Sequence, residues 1–151
     1  MPDAVLPDTS LEITRTFAAP RARVYAAWMD PDALRHWYRM NDDWSASVAE
    51  VDLRVGGRYR IELAIPNHAA LVEEGEFREI LPNERLVYTN TLRGGTEADH
   101  DGTVVTVAFR DASDGGCEVT VREEGFPSAR VRDVHASGWP GFLDQLADLL
   151  I

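Results

Sequence analysis

The chain contains no lysine; all fifteen of its basic residues are arginine. Schiff-base chemistry on a side-chain amine and a P-loop lysine are therefore excluded, whatever the fold. There is one cysteine, Cys117, so no internal disulfide framework can form and a reducing compartment suits the chain. Cys117 lies in an alternating pattern, where a small buried hydrophobe is expected rather than a nucleophile. No stretch approaches the roughly 18 uninterrupted apolar residues of a membrane span. The N-terminus has no basic region followed by an apolar run, so no signal peptide is expected. Positive charge is scarce too: 26 acidic against 15 basic residues give a net charge of −11. That balance opposes nucleic-acid backbones and anionic membranes, both of which need a concentrated basic face. A cytoplasmic protein is expected, with neither nucleic acid nor a membrane as partner.

What is present reads as one domain over residues 1–151, with residues 1–8, rich in proline and aspartate, as a flexible arm. Leu11, Ile13 and Phe17 alternate as a first strand. Pro20 opens a short helix carrying Val24, Ala27 and Trp28. Asp30 as N-cap and Pro31 at the first position start a second, with Leu34, Trp37 and Tyr38. From Ser45 the period becomes two. Ala49, Val51, Leu53 and Val55 lead to a turn at Gly56-Gly57, and Tyr59, Ile61, Leu63 and Ile65 return as the second arm of a hairpin. Leu71 to Ile80 forms another strand, with a bulge or bend expected at Gly75. Leu86 to Leu92 follows, and Gly94 to Gly102 reads as a polar loop. Strands through Val105–Phe109 and Cys117–Val121 are joined by a turn at Asp114-Gly115-Gly116.

Residues 127–151 read as one amphipathic helix, with Ser128 as N-cap. Val131, Val134, Gly138, Phe142, Leu146 and Leu149 form its stripe, flanked by Trp139, Leu143 and Leu150. A kink is expected at Pro140, and a close backbone approach at Gly138. Consecutive strands on short turns make an antiparallel meander with one apolar face, and only this helix is long enough to cover it. The fold class is α+β, a curved sheet gripping one helix.

That order of elements resembles the helix-grip fold of the START/Bet v 1-like (SRPBCC) superfamily. Four stretches carry a closer likeness: FAAPRARVYAAWMDPDALRHWY (17–38), VDLRVGGRYRIEL (51–63), GEFREILPNERLVYT (75–89) and SGWPGFLDQLADLL (137–150). They are similar to the bacterial single-domain relatives of the activator of heat-shock protein 90 ATPase. The resemblance implies an elongated, mostly apolar cavity between sheet and long helix. It implies no single activity, since relatives carry lipids or metabolites, cyclise polyketides or bind a chaperone. The eukaryotic activator has a further domain before this one, for which 151 residues leave no room, so chaperone interaction is not the favoured reading.

By alternation the face under the helix comprises Val51, Leu53, Tyr59, Ile61, Leu63, Phe77, Leu86, Tyr88, Val105, Val107, Val119 and Val121. From it, the candidate ligand-binding residues on the sheet are Tyr59, Ile61, Leu63, Phe77, Tyr88, Val107 and Val121. Trp37, Tyr38 and Trp44 add an aromatic mouth, and His135, Gly138 and Phe142 the helix side. Trp28 and Trp37 also suit a plainer role, pinning the short helices to the sheet. Glu73, Asn90, Glu123 and His135 fall on the same inward face, and Glu73 and Asn90 join the candidate ligand-binding residues. A bend at Gly75 would reverse the facing and leave Glu73 in water, the favoured reading; Glu123, at a strand end, is expected to be solvated. His135 is expected at the rim.

No metal or other cofactor is expected. His36, His68, His100 and His135 lie in four segments without paired ligand spacing, and His100 in EADHD reads as an acidic solvated loop. No serine or cysteine sits in a nucleophile elbow. The reading is a carrier or sensor of a small hydrophobic molecule. The alternatives are acid–base catalysis by Glu73 or His135 on such a molecule, or a chaperone-interacting module. A homodimer is compatible with all three.

Overall fold

A computed structural model describes residues 7–150, so most of the expected N-terminal arm lies outside the described residues. Seven strands form one antiparallel sheet in the order β1-β7-β6-β5-β4-β3-β2. They are β1 Ser10–Phe17, β2 Ser45–Val51, β3 Arg58–Ala64, β4 Leu71–Leu81, β5 Arg85–Arg93, β6 His100–Asp111 and β7 Cys117–Glu124. Helices α1 (Arg21–Trp28) and α2 (Pro31–Trp37) connect the two edge strands β1 and β2, and α3 (Ala129–Leu149) follows β7. This is the helix-grip arrangement. Among the described residues no helix is long and apolar enough to cross a membrane.

The caps are those the sequence dictates. The Asp30 carboxylate accepts from Ala33 N at the start of α2, and the Ser128 hydroxyl accepts from Val131 N at the start of α3. Pro20 stands one place outside α1, as its N-cap. Inward residues of the strands alternate cleanly: Tyr59, Ile61 and Leu63 on β3, Leu86 and Tyr88 on β5, Val105, Val107 and Phe109 on β6 are all buried. Cys117 is buried among them.

Three expectations need correction. First, β2 stops at Val51; Leu53 and Val55 are exposed in a tight loop closed by Gly57 N donating to the Arg54 carbonyl. A Cβ on Gly57 would overlap the Asp52 carbonyl oxygen, so the loop coils where a plain hairpin would run straight on. Second, the buried line of α3 is Trp139, Leu143 and Leu146, continued by Leu150, while Val131, Val134, Gly138, Phe142 and Leu149 are only half-buried. The expected flank, together with Leu146 of the stripe, is the true centre. Third, the close approach is made by Gly141. A Cβ there would overlap the Met40 carbonyl oxygen, whereas at Gly138 it would meet only Met40 Sδ at 3.6 Å.

Helix α3 passes through Pro140 as one element of 21 residues. The carbonyl of Ala136, which Pro140 cannot serve, lies on the exposed side and is open to water. The helix is tied along both flanks. Arg132 Nη1 donates to the Ser10 carbonyl at 3.0 Å and Arg15 pairs with Asp144 at 2.8 Å on the β1 side. On the α2 side, Arg39 Nε donates to Gln145 Oε1 at 3.1 Å.

The two glycines should behave oppositely. Gly138→Ala removes helix-interior glycine flexibility without a clash and should stabilise by up to ~1 kcal/mol. Gly141→Ala drives a methyl into the Met40 carbonyl and should destabilise by ~1–3 kcal/mol despite the same propensity gain. Urea unfolding of the two variants checks both signs.

Candidate functional site

Between α3 and the sheet lies a cavity of about 290 Å³. Its walls are apolar: Leu63, Leu71, Leu92 and Val105 from the strands, Val134 and Phe142 from the helix. Met40 and Trp44 close it beyond α2, and it meets the surface beside the exposed residues Glu97 and Ser137. Nine of the fifteen residues picked out by sequence border it: Tyr38, Trp44, Leu63, Glu73, Tyr88 and Asn90, with His135, Gly138 and Phe142 from α3. The other six do not. Trp37, Ile61, Phe77, Val107 and Val121 are wholly buried and Tyr59 nearly so, and they fill the core. Trp37 instead donates through Nε1 to the Ala27 carbonyl at 2.9 Å, pinning α2 to α1. Trp28 donates to Tyr88 OH at 3.2 Å and stacks on Trp139, which seats α1 under α3.

Val105 was placed on the inward face but left out of the ligand-binding set, whereas Leu71 and Leu92 were missed as lining although strand alternation with Glu73 and Asn90 carries the signal for both. Thr96, Glu97 and Ala98 roof the cavity from the β5–β6 loop, and nothing in their sequence announces that.

Glu73 is buried, which overturns its placement in water. Leu71, Glu73, Gly75 and Phe77 all face inward, and the strand's register shift comes after them, between Phe77 and Glu79. Gly75 is glycine for another reason: a Cβ there would overlap the Thr89 carbonyl oxygen and the Tyr59 ring. With its facing kept, the Glu73 carboxylate accepts through Oε1 from Tyr38 OH at 3.0 Å and from Asn90 Nδ2 at 2.9 Å. Asn90 Nδ2 also donates to Tyr59 OH at 2.8 Å, and Tyr59 donates to the Thr89 carbonyl at 2.8 Å. Burial raises the Glu73 pKa; the bonds from Asn90 and Tyr38 and the charge of His135 oppose that rise, and Glu123 adds to it. Burial likewise pushes the Tyr38 and Tyr59 phenols well above their ordinary value, with the Glu73 charge adding to both. Asn90 Oδ1 has no partner, and Glu73 Oε2 receives no donor among the described residues.

A second polar group sits where β6, β7 and α3 converge. Glu123, expected in water, is only 2% exposed. Its Oε1 accepts from Trp139 Nε1 at 3.0 Å and its Oε2 from Thr103 Oγ1 at 2.7 Å. The partners came from other elements, so strand-end position alone misplaced it. His135 Nε2 lies 2.8 Å from the Ala98 carbonyl and its Nδ1 4.0 Å from Glu123 Oε1. A carbonyl only accepts, so Nε2 carries the hydrogen. His100, expected in a solvated loop, begins β6 and is buried, its ring against Phe126 and His135. Neither of its ring nitrogens has a partner. Burial, with the nearby His135 charge, lowers its pKa to about 4, so the ring is neutral at pH 7.

Glu73 gives a pH signature with a definite sign. A carboxyl whose pKa is raised by folding keeps its proton longer in the folded state than in the unfolded state. Its contribution is therefore full below the ordinary value of 4.5 and is lost as pH rises through the raised folded value. Glu73→Gln keeps the acceptor oxygen and removes the titration. The variant should gain on wild type as pH rises above 4.5, by ~1 kcal/mol or ~2–4 °C in Tm at neutral pH, and show no gain below pH 4. Thermal melts across pH 3–8 check this.

The chain can now be set beside known proteins. No curated protein matches it. Among solved structures, protein CV1439 from Chromobacterium violaceum is similar at 30% identity and a TM-score of 0.78, over 94% of this chain and 96% of that one. A putative uncharacterised protein from Rhizobium leguminosarum follows at 29% identity, TM-score 0.77, over 93% of each chain. The AHSA1-like protein from Aeromonas hydrophila is 26% identical, TM-score 0.73, over 91% of this chain and 90% of that one. The family model described as "Activator of Hsp90 ATPase homolog 1-like protein" matches residues 18–150. The chain belongs to that family, within the START/Bet v 1-like superfamily.

Proposed function

We propose that the protein binds a small, mostly apolar molecule bearing one hydrogen-bonding group, in the cavity beneath α3, as a carrier or sensor. The observation that carries this reading is the contrast within the cavity. Its walls are leucine, valine and phenylalanine, yet a buried carboxylate faces it with one oxygen, Oε2, left for a ligand. Apolar walls with a few placed polar groups are what small-molecule sites use for affinity and orientation respectively. The volume accommodates on the order of ten heavy atoms, at the ~30 Å³ a water occupies in liquid. A ligand that donates to Glu73 Oε2 offsets part of the cost of burying that carboxylate.

Acid–base chemistry on the bound molecule is the second reading. Glu73 and His135 both border the cavity, and burial raises the Glu73 pKa above its ordinary value, the direction a proton-transferring carboxyl needs. Binding without turnover favours the first reading; turnover that Glu73→Gln abolishes while binding persists favours the second. The family's description brings a chaperone as a third partner. Retention on the host's immobilised chaperone, unaffected by filling the cavity, would favour that reading over both.

The test is to fill the space. Val134 is half-buried on α3 and borders the cavity, so Val134→Trp occupies volume with little disturbance of the core. Small apolar alcohols and amines that raise the wild-type Tm should lose at least ~10-fold in affinity with this variant, as read by calorimetry. Unchanged affinity would place binding elsewhere.

A further inference from the structure

We propose that His100, Glu123 and His135 form a site for one divalent first-row transition-metal ion of the zinc type. One ligand atom from each lies within 4.8 Å of those of the other two. Two imidazoles and a carboxylate are a donor set that favours such ions over magnesium or calcium, which prefer all-oxygen cages.

Two independent observations point to a ligand at this place. His100 is 95% buried, and neither ring nitrogen meets a partner. A buried imidazole left this way forfeits the hydrogen bonds it had in water, a cost that a metal–nitrogen bond removes. His135 supplies the second. Its Nε2 hydrogen is held by the Ala98 carbonyl at 2.8 Å, which leaves Nδ1 directed toward Glu123 Oε1 at 4.0 Å. A histidine that ligates a metal through one nitrogen usually donates from the other to a carbonyl or carboxylate, fixing the tautomer in this way. The gap between Nδ1 and the carboxylate is too long for a direct hydrogen bond. Glu123 is itself oriented by Trp139 and Thr103, one on each oxygen, with a lone pair of each still free.

Ligand atoms around a tetrahedral zinc stand about 3.3 Å apart, from bond lengths of ~2.0–2.1 Å. The widest of the three separations must close by up to about 1.5 Å, and that between His135 Nδ1 and Glu123 Oε1 by about 0.7 Å. Rotation of the His100 ring breaks no hydrogen bond and supplies its share of that movement, while the gap between His135 and Glu123 closes by small shifts of those two side chains. Glu123 and His135 border the cavity while His100 does not, so an ion held by all three would lie at the cavity's edge, within reach of water or a ligand atom to complete its coordination. The inference stands on this cluster alone and is independent of what occupies the cavity.

The full chain, freed of metal with EDTA, is titrated with Co2+ and then Zn2+. Expected are a visible Co2+ absorption band saturating at one equivalent, its displacement by Zn2+, and a Tm that rises with excess Zn2+ but not with Mg2+. His135→Asn and His100→Phe should each weaken binding at least ~100-fold. The His36→Asn/His68→Asn double variant, at sites outside the cluster, should bind as wild type does. If His100→Phe fails to fold by far-UV circular dichroism, His135→Asn decides, since its helix position is half-buried. No band saturating at one equivalent, or a band that His135→Asn leaves unchanged, overturns the proposal.

Discussion

The seating of α3 governs both the core and the empty space beside it. Its C-terminal half is close-packed: Gly141 lets the backbone approach the Met40 carbonyl, and Leu143, Leu146 and Leu150 are buried. Its middle, from Val134 to Phe142, stands over the cavity. A helix tied along both flanks, by Arg132 and Arg15 on one side and Arg39 on the other, cannot tip inward to close that space. The aromatic stack of Trp28 on Trp139 holds it from beneath. Packing at one end and tethers at the sides thus leave a void that a freely settling helix would collapse, since interiors otherwise pack at ~0.75 density.

Polar residues buried in and around that void run against the stability of the fold. Glu73, Asn90, His100, Thr103 and Glu123 are all buried, and each costs free energy unless its partners are supplied. Some have a donor on each oxygen, as Glu123 has from Trp139 and Thr103. Others are left short, as Asn90 Oδ1 and both His100 nitrogens show. A chain of this size has ample apolar residues for those positions, so the shortfall is concentrated where a bound species would relieve it. The outward face shows no such economy; its arginines and carboxylates pair in exposed salt bridges worth little.

Alternation made most of the fold legible, because a period of two fixes which face a strand residue takes. Tyr59, Ile61 and Leu63 followed it without exception. It says nothing of depth, however, and so could not separate Phe77 and Val107, which fill the core, from Leu63 and Tyr88, which border the cavity. Glycine misled twice. Gly75 suggested a bend but serves the passage of Thr89 and Tyr59, and Gly138 suggested the contact that Gly141 makes. The histidines were judged by local spacing, a criterion that works when ligands share one element. His100, Glu123 and His135 come from three elements that meet only after the sheet is assembled around α3, and no linear spacing encodes that.

The two polar groups of the cavity are electrically linked. The Glu123 charge raises the Glu73 pKa and the His135 charge lowers it, each through space. A cation held between Glu123 and His135 would neutralise the first influence and replace the second with a stronger positive one. Both changes favour the ionised form of Glu73. The carboxylate that meets a ligand would then be held more firmly in its hydrogen-bond-accepting form when a site elsewhere on the same cavity is filled. By thermodynamic reciprocity, a ligand that requires Glu73 ionised must in turn tighten cation binding by the same factor. Function in this fold would then reside in the coupling of two buried carboxylates across one apolar space, with α3 holding them in a common field.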